Sequence, residues 1–375
     1  MTLIHAGTVV VDGEVCRPGW VHTHERSIVG CGAGPPPAPP DVELLESVVV
    51  PGFVDMHVHG GGGASFTDGG TERAVAFHAQ HGTTTMVASL VTAAPAELLA
   101  AVGVLAEATR RGRIAGIHLE GPWLSVGRCG AHDHTQIRPP DREEVEAVLA
   151  AAAGTVRMVT LAPELPGSDE TIRRFVDAGV VVAIGHTDAT YEQTRHAIAL
   201  GATVGTHLFN AMPPLNHREP GPVLALLADP RVTVELIADG VHVHPDVAQG
   251  VIAAVGADRV ALVSDATSAA GCGDGEFRLG SVPVVVASGV ARVRGTNTIA
   301  GSTATMDQLF RAVAGAAGLA AAVQTTATTP ARALGLHGVG VIRTGCAANL
   351  VVLEQQLRVT GVMANGRWQH RPEVA

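Results

Sequence analysis

The stretch Val49–Gly63, "VVPGFVDMHVHGGGG", sets His57 and His59 one residue apart at the end of an apolar run. Residues i and i+2 of a strand point to the same side, so both imidazoles can grip one ion. Further apolar runs end in Glu120 ("GIHLE"), His186 ("VAIGH"), His207 ("VGTH"), Asp239 and His242 ("IADGVH") and Asp265 ("LVSD"). Imidazole and carboxylate ligands without thiolate suit Zn2+ or Fe2+, one or two per chain. Two ions need a bridging anion to offset their repulsion. The 25 basic residues are all arginine, so a carbamylated-lysine bridge and Schiff-base chemistry are excluded, and Glu120 is the available bridge. A bound metal lowers the pKa of its water toward about 7. Asp265 would then take the proton from that water and pass it to a leaving group. This is metal-assisted hydrolysis of an amide or a related carbonyl derivative.

These residues need a scaffold that brings distant strand ends together. Eight apolar runs, from "FVDMHVH" to "VALVSDA", alternate with amphipathic segments such as "PAELLAAVGVLAEATRR" and "SDETIRRFVDAG". Eight β-then-α units predict a parallel (β/α)8 TIM barrel over residues 51–336, with the chemistry at the C-terminal strand ends. The runs are almost continuously apolar, as strands covered on both faces should be. A segment near 276–296 reads as a hairpin inserted before the last helix, roughly Ser302–Leu319. Both chain ends are rich in short strands and predict one small β-sandwich domain from residues 1–50 and 337–375. Asn365-Gly366 marks a hairpin turn there. The glycines Gly60–Gly63 let the chain turn beside the histidines, and we expect a plain flexible loop.

Composition narrows the partners. A net charge of −10 and the lack of a basic run argue against a nucleic-acid surface. No apolar run is long enough to span a membrane, and no signal segment is visible at the N-terminus. Five scattered cysteines without a CxxC pair fit reduced thiols in the cytoplasm. Cys129, in "GRCGAH", reads as a loop cysteine. His78, His81, His134, His196, His217 and His244 read as surface or packing residues.

The segments "PGFVDMHVHG", "HLEGPWLS", "GAH", "IGHTDAT", "THLFNAMPPL", "REPG", "ADGVHVHP", "LVSDA" and "IAGS" resemble the amidohydrolase superfamily. The nearer likeness is to the N-acetylglucosamine-6-phosphate deacetylases, whose segments follow the same order from Pro51 to Ser302. That resemblance implies removal of the acetyl group of N-acetyl-D-glucosamine 6-phosphate in amino-sugar catabolism and cell-wall recycling. It implies that Glu120, His186 and His207 are the main metal ligands and Asp265 the acid/base. His57 and His59 fall where some members carry a Q-x-N pair and hold a single ion, so a second ion is possible here, with Asp265 beside it. The resemblance implies that His132 and His242 hold the sugar and polarise the acetyl carbonyl. It places Ala131, Ile299 and Ala300 along the substrate, and Asn210, Ala211 and Arg218 at its phosphate. Arg218 is expected to reach across a homodimer. The rivals are another amidohydrolase activity (dihydroorotase, hydantoinase or nucleobase deaminase) and an inactive barrel kept for binding.

Overall fold

The computed structural model describes residues 1–372. Eight parallel strands form the barrel sheet: Phe53–Val58, Thr83–Leu90, Gly116–Glu120, Val156–Leu161, Val181–Ile184, Ala202–Gly205, Thr233–Leu236 and Val260–Leu262. Each neighbours the next in sequence order. Continuity from last to first comes just past the strand ends. There Asp265 N–H donates to the His57 carbonyl at 2.9 Å, and His59 N–H donates to the Ala266 carbonyl at 2.8 Å. All six residues of the first strand are buried, which explains its unbroken apolar run.

The intervening helices start and stop where their sequences say they should. Over Arg142–Ala152, the Asp141 carboxylate caps the N–H groups of Glu143 and Glu144, and Val145, Val148 and Ala152 form the buried stripe. Over Tyr191–Leu200, Thr190 and Gln193 make a reciprocal capping box, and Gly201 (φ 117°) ends the helix. The segment after the eighth strand is a three-stranded antiparallel sheet over Gly275–Leu279, Val282–Ala287 and Val290–Val293. It carries one strand more than a hairpin. Its core also takes in Ala131 and Ala300, so two expected substrate segments are packed against one small platform.

By contacts the chain separates into two compact units. One is Met56–Val75 with Met86–Ala304; the other is Met1–Asp55 with Ala76–Thr85 and Thr305–Ala375. In the second unit, strands from both chain ends share one sheet, in the order 367–370, 359–364, 350–353, 42–51, 2–11, 19–24, 27–33. Ile28 and Met363, near opposite edges of that order, lie in one core with Ile4, Val21, Val49, Leu350 and Val352. The sheet therefore folds over a shared interior, as a sandwich does. Asn365 (φ 49°) and Gly366 (φ 72°) make the expected two-residue turn between its last two strands.

Candidate active site

Seven ionisable side chains converge at the C-terminal ends of the barrel strands. Glu120 is the centre. Its Oε1 lies 3.1 Å from both His186 Nε2 and His207 Nε2, and its Oε2 lies 3.1 Å from His59 Nε2 and 3.2 Å from His132 Nε2. Asp265 Oδ1 is 3.2 Å from His59 Nε2 and 3.5 Å from His57 Nε2. His186 Nε2 and His207 Nε2 are 3.0 Å apart, and His57 Nε2 and His59 Nε2 are 3.2 Å apart. All seven are buried.

The outer ring nitrogens decide what those inner nitrogens can do. His57 Nδ1–H donates to Glu235 Oε2 at 3.0 Å, His59 Nδ1–H to the Ser89 carbonyl at 3.2 Å, and His186 Nδ1–H to the Arg128 carbonyl at 2.8 Å. Those acceptors have no proton to give, so in the neutral rings each Nε2 carries a lone pair. Lone pairs facing one another at about 3 Å repel unless a cation stands between them, the arrangement that ligating histidines show. His132 is different. The Thr92 N–H donates to its Nδ1 at 3.2 Å, so the neutral ring carries its proton on Nε2 and faces the centre as a hydrogen donor. Burial, against the pull of Glu120, lowers its pKa to about 4, so it stays neutral at pH 7.

The electrostatics make the same demand. Burial disfavours charge on His57, yet Glu120, Glu235 and Asp265 outweigh it and draw its pKa well above the ordinary imidazole value. Burial likewise opposes ionisation of Asp265, but His57 and His59 keep its carboxyl below the usual carboxylate range. Glu120 and Asp265, both buried and both held below the usual carboxylate range, thus call for positive charge, and a divalent cation meets that call while leaving the imidazoles neutral.

Backbone geometry presents these groups. His186 (φ 49°), His207 (φ 28°) and Asp265 (φ 47°) all lie in the left-handed region, sparsely occupied by non-glycine residues and tolerated where surrounding bonds enforce it. The Ser125 N–H donates to the His186 carbonyl at 2.8 Å while His186 returns a bond to Arg128, and the Ser302 N–H donates to the Asp265 carbonyl at 2.7 Å. Gly301 is required beside Asp265: a Cβ there would lie 2.8 Å from the Asp265 carbonyl oxygen. The tract Gly60–Gly63 is not the flexible loop expected. Gly60–Gly61 pairs with Ala64–Ser65, and Gly62 (φ 60°) and Gly63 (φ 80°) form the turn between them. Bonds from Gly62 and Gly63 N–H to the Ala270 and Ser268 carbonyls, 2.8 Å each, tie it down.

A cavity of about 400 Å3 opens over the cluster. His59, Glu120, Ala131, His132, His186, His207, Asn210, Ala211, His242, Asp265 and Ile299 line it, together with Arg128, Leu279, Asn297 and Thr298, which the sequence did not single out. His57 lies beneath them. Ala300 is buried behind the wall, and Gly301 lines it instead. Arg218 is exposed and outside the lining. His242 donates from Nδ1 to Asp239 at 2.8 Å. Although burial opposes its charged form, that carboxylate raises its pKa.

Two buried groups escaped the sequence reading. Glu235 supports His57, and His118 packs edge-on against the His57 ring at 4.6 Å between ring centres. Burial and the neighbouring His57 push the His118 pKa well down. The ring is bonded to Ser89 Oγ at 2.9 Å and Thr160 Oγ1 at 2.8 Å. His118 precedes Glu120 by two residues, so the spacing that paired His57 with His59 also marked it.

Comparisons with known proteins agree with this geometry. The amidohydrolase family model matches residues 48–369. The N-acetylgalactosamine-6-phosphate deacetylase of Escherichia coli is 35% identical over 361 residues, 93% of this chain and 95% of its own. The N-acetylglucosamine-6-phosphate deacetylase of Bos taurus is 36% identical over 345 residues, 86% of this chain and 84% of its own. A mutant of the N-acetyl-D-glucosamine-6-phosphate deacetylase of Mycobacterium smegmatis, solved with N-acetyl-D-glucosamine 6-phosphate, is 52% identical, with a TM-score of 0.97 over 99% of each chain. Matched along most of its length in sequence and in structure, the chain belongs to the amidohydrolase family.

Proposed function

We propose that the protein is a metal-dependent deacetylase that hydrolyses N-acetylglucosamine 6-phosphate to glucosamine 6-phosphate and acetate. The observation that carries this is the Glu120-centred cluster with Asp265 at the floor of one cavity, in a chain whose relatives bear that activity. Glu120, His186 and His207 would hold one divalent ion, and His57, His59 and Asp265 would fit a second, with Glu120 within reach of both sets. Zn2+ suits this set best, and Fe2+ uses the same ligands. Such a metal supplies Lewis-acid polarisation of the acetyl carbonyl and acidifies the attacking water.

The chain's own groups do the rest. Asp265, held ionised, accepts a proton as water adds to the acetyl carbon, and delivers it to the amide nitrogen as the C–N bond breaks. His242, whose Nδ1–H is held by Asp239 and whose charged form that carboxylate favours, would donate from Nε2 to the acetyl oxygen as the imidazolium. His132 Nε2–H is a second oriented donor, available to Glu120 or the sugar. Ala131 and Ile299 shape the wall, with Ala300 behind them. The unpaired state of all five cysteines fits our assignment to the cytoplasm, a reducing compartment.

Acetate release from the 6-phosphates of N-acetylglucosamine and N-acetylgalactosamine, with metal analysis, tests this reading. No acetate from metal-loaded protein would favour an inactive barrel, whereas ring-opening of a cyclic amide or ammonia release from a nucleobase would favour a different amidohydrolase. Nuclearity is tested separately. His57→Gln with His59→Asn should leave about one ion per chain and measurable activity. An unchanged metal count by elemental analysis would rule out an ion there.

Arg218 lies eleven residues beyond His207 and outside its own cavity. We assign it to the phosphate in the neighbouring active site of a homodimer, with Asn210 and Ala211 of that site beside it. Arginine grips phosphate through paired donors, each charge-assisted bond contributing about 1.5–3 kcal/mol. Arg218→Ala should therefore lower kcat/KM for the 6-phosphate by roughly one to two decades and leave the weak reaction of unphosphorylated N-acetylglucosamine unchanged. Mixed with Asp265→Asn, it should recover part of its activity, because the heterodimer contains one site with both residues intact. Equal losses on both substrates would make Arg218 structural, and no recovery in confirmed heterodimers would place it in its own site.

A further inference from the structure

Glu235 lies within the seventh barrel strand, wholly buried between the apolar Val234 and Leu236. An apolar side chain would serve barrel packing there, and a buried carboxylate is unfavourable unless hydrogen bonds compensate it. The compensation is gathered on one oxygen. Oε2 accepts from His57 Nδ1–H at 3.0 Å and from the His207 backbone N–H at 3.1 Å. Oε1 is buried without a hydrogen-bond partner among the described residues. The backbone carbonyl of Glu235 accepts from Leu208 N–H at 2.9 Å. Residue 235 thus holds two successive amides where the chain leaves the sixth strand, at the left-handed turn of His207.

His57 and His207 belong to different halves of the ligand cluster. We propose that Glu235 is a positioning residue that couples these halves, one oxygen fixing the His57 ring in the first and the turn presenting His207 in the second. The proposal rests on the metal-site reading above. It follows from the geometry that reach, more than charge, is what the position requires. Glutamine has the same length and keeps an accepting oxygen, with its amide group directed to the unpartnered side. Aspartate keeps the charge but is one methylene short of both donors.

Full-length Glu235→Gln and Glu235→Asp, stripped with a chelator, are titrated with Zn2+ against a chromophoric competitor. The glutamine variant should hold wild-type stoichiometry with affinity within about threefold, and the aspartate variant should bind at least about tenfold more weakly in both halves, as outer-sphere partners of metal-bound histidines do when lost. In imidazole-selective NMR of the loaded proteins, the His57 Nδ1–H should resist exchange in the wild type and in Glu235→Gln, and exchange rapidly in Glu235→Asp. Wild-type affinity in Glu235→Asp overturns the coupling, as does a loss confined to one ion. A larger loss in Glu235→Gln than in Glu235→Asp also overturns it, by making charge the requirement. If the unsubstituted protein takes up no divalent ion, the metal-site reading falls and this proposal with it, a result separate from the other three.

Discussion

Asp265→Asn should lower kcat by roughly 10²–10⁴-fold, the range that positioned acid–base groups supply, while metal content stays at the wild-type level. The side chain sits 3.2 Å from His59 Nε2 and 3.5 Å from His57 Nε2. Asparagine preserves an oxygen there, so the ligand geometry has little reason to change. Its backbone is held independently, by the bond from its N–H to the His57 carbonyl and by the Ser302 N–H on its own carbonyl. What asparagine lacks is a site for the proton. The loss should therefore fall on kcat with little change in KM, the pattern of an interaction made in the transition state. Steady-state acetate release read beside elemental analysis decides it. Near-normal turnover by a metal-loaded variant would remove Asp265 from the proton path.

Much of this site is legible in the sequence, because a parallel barrel converts sequence order into spatial order. A polar residue closing an apolar run is forced to the same rim as its counterparts, so His57, Glu120, His186, His207 and Asp265 could be grouped from their places alone. Other features were hidden for different reasons. Glu235 interrupts "VTVELI" in mid-strand, where one charge among apolar residues looks like a solvated face. Only burial on both faces of the strand makes it internal. His118 carried a usable signal, the i+2 spacing to Glu120, yet its partners Ser89 and Thr160 come from strands on either side and are not local in sequence. The glycines after His59 mark a turn in the sequence, but nothing local marks it as an ordered one. Their order comes from Ser268 and Ala270, some two hundred residues away. The left-handed backbone at His186, His207 and Asp265 is not marked in the letters: His and Asp adopt it more readily than most side chains, but nothing in the local sequence requires it, and the fold imposes it.

Removal of Glu120 should be the most damaging single change among the ligands. Its two oxygens serve different members of the cluster, Oε1 facing His186 and His207 and Oε2 facing His59 and His132. Glu120→Ala would leave both sets of imidazoles without the anion that the proposed two-ion reading places between them, so both halves should empty together. Metal content should fall well below one ion per chain. Lewis-acid assistance lowers the barrier by several kcal/mol, and at about 1.4 kcal/mol per decade its loss should drop kcat by about 10³-fold or more. Chelator-stripped wild type should show the same loss and regain activity when Zn2+ is returned, whereas the Glu120→Ala protein should not recover. Glu120→Gln is the discriminating control. It keeps the volume but turns an amide group toward an imidazole lone pair or the His132 donor, so one half should bind less tightly than the other. Full occupancy of both halves in Glu120→Ala would show that the ions do not depend on a shared carboxylate. Low occupancy with rescue at high Zn2+ would instead mean that Glu120 contributes affinity without bridging, and the two-ion arrangement would have to be rebuilt around Asp265.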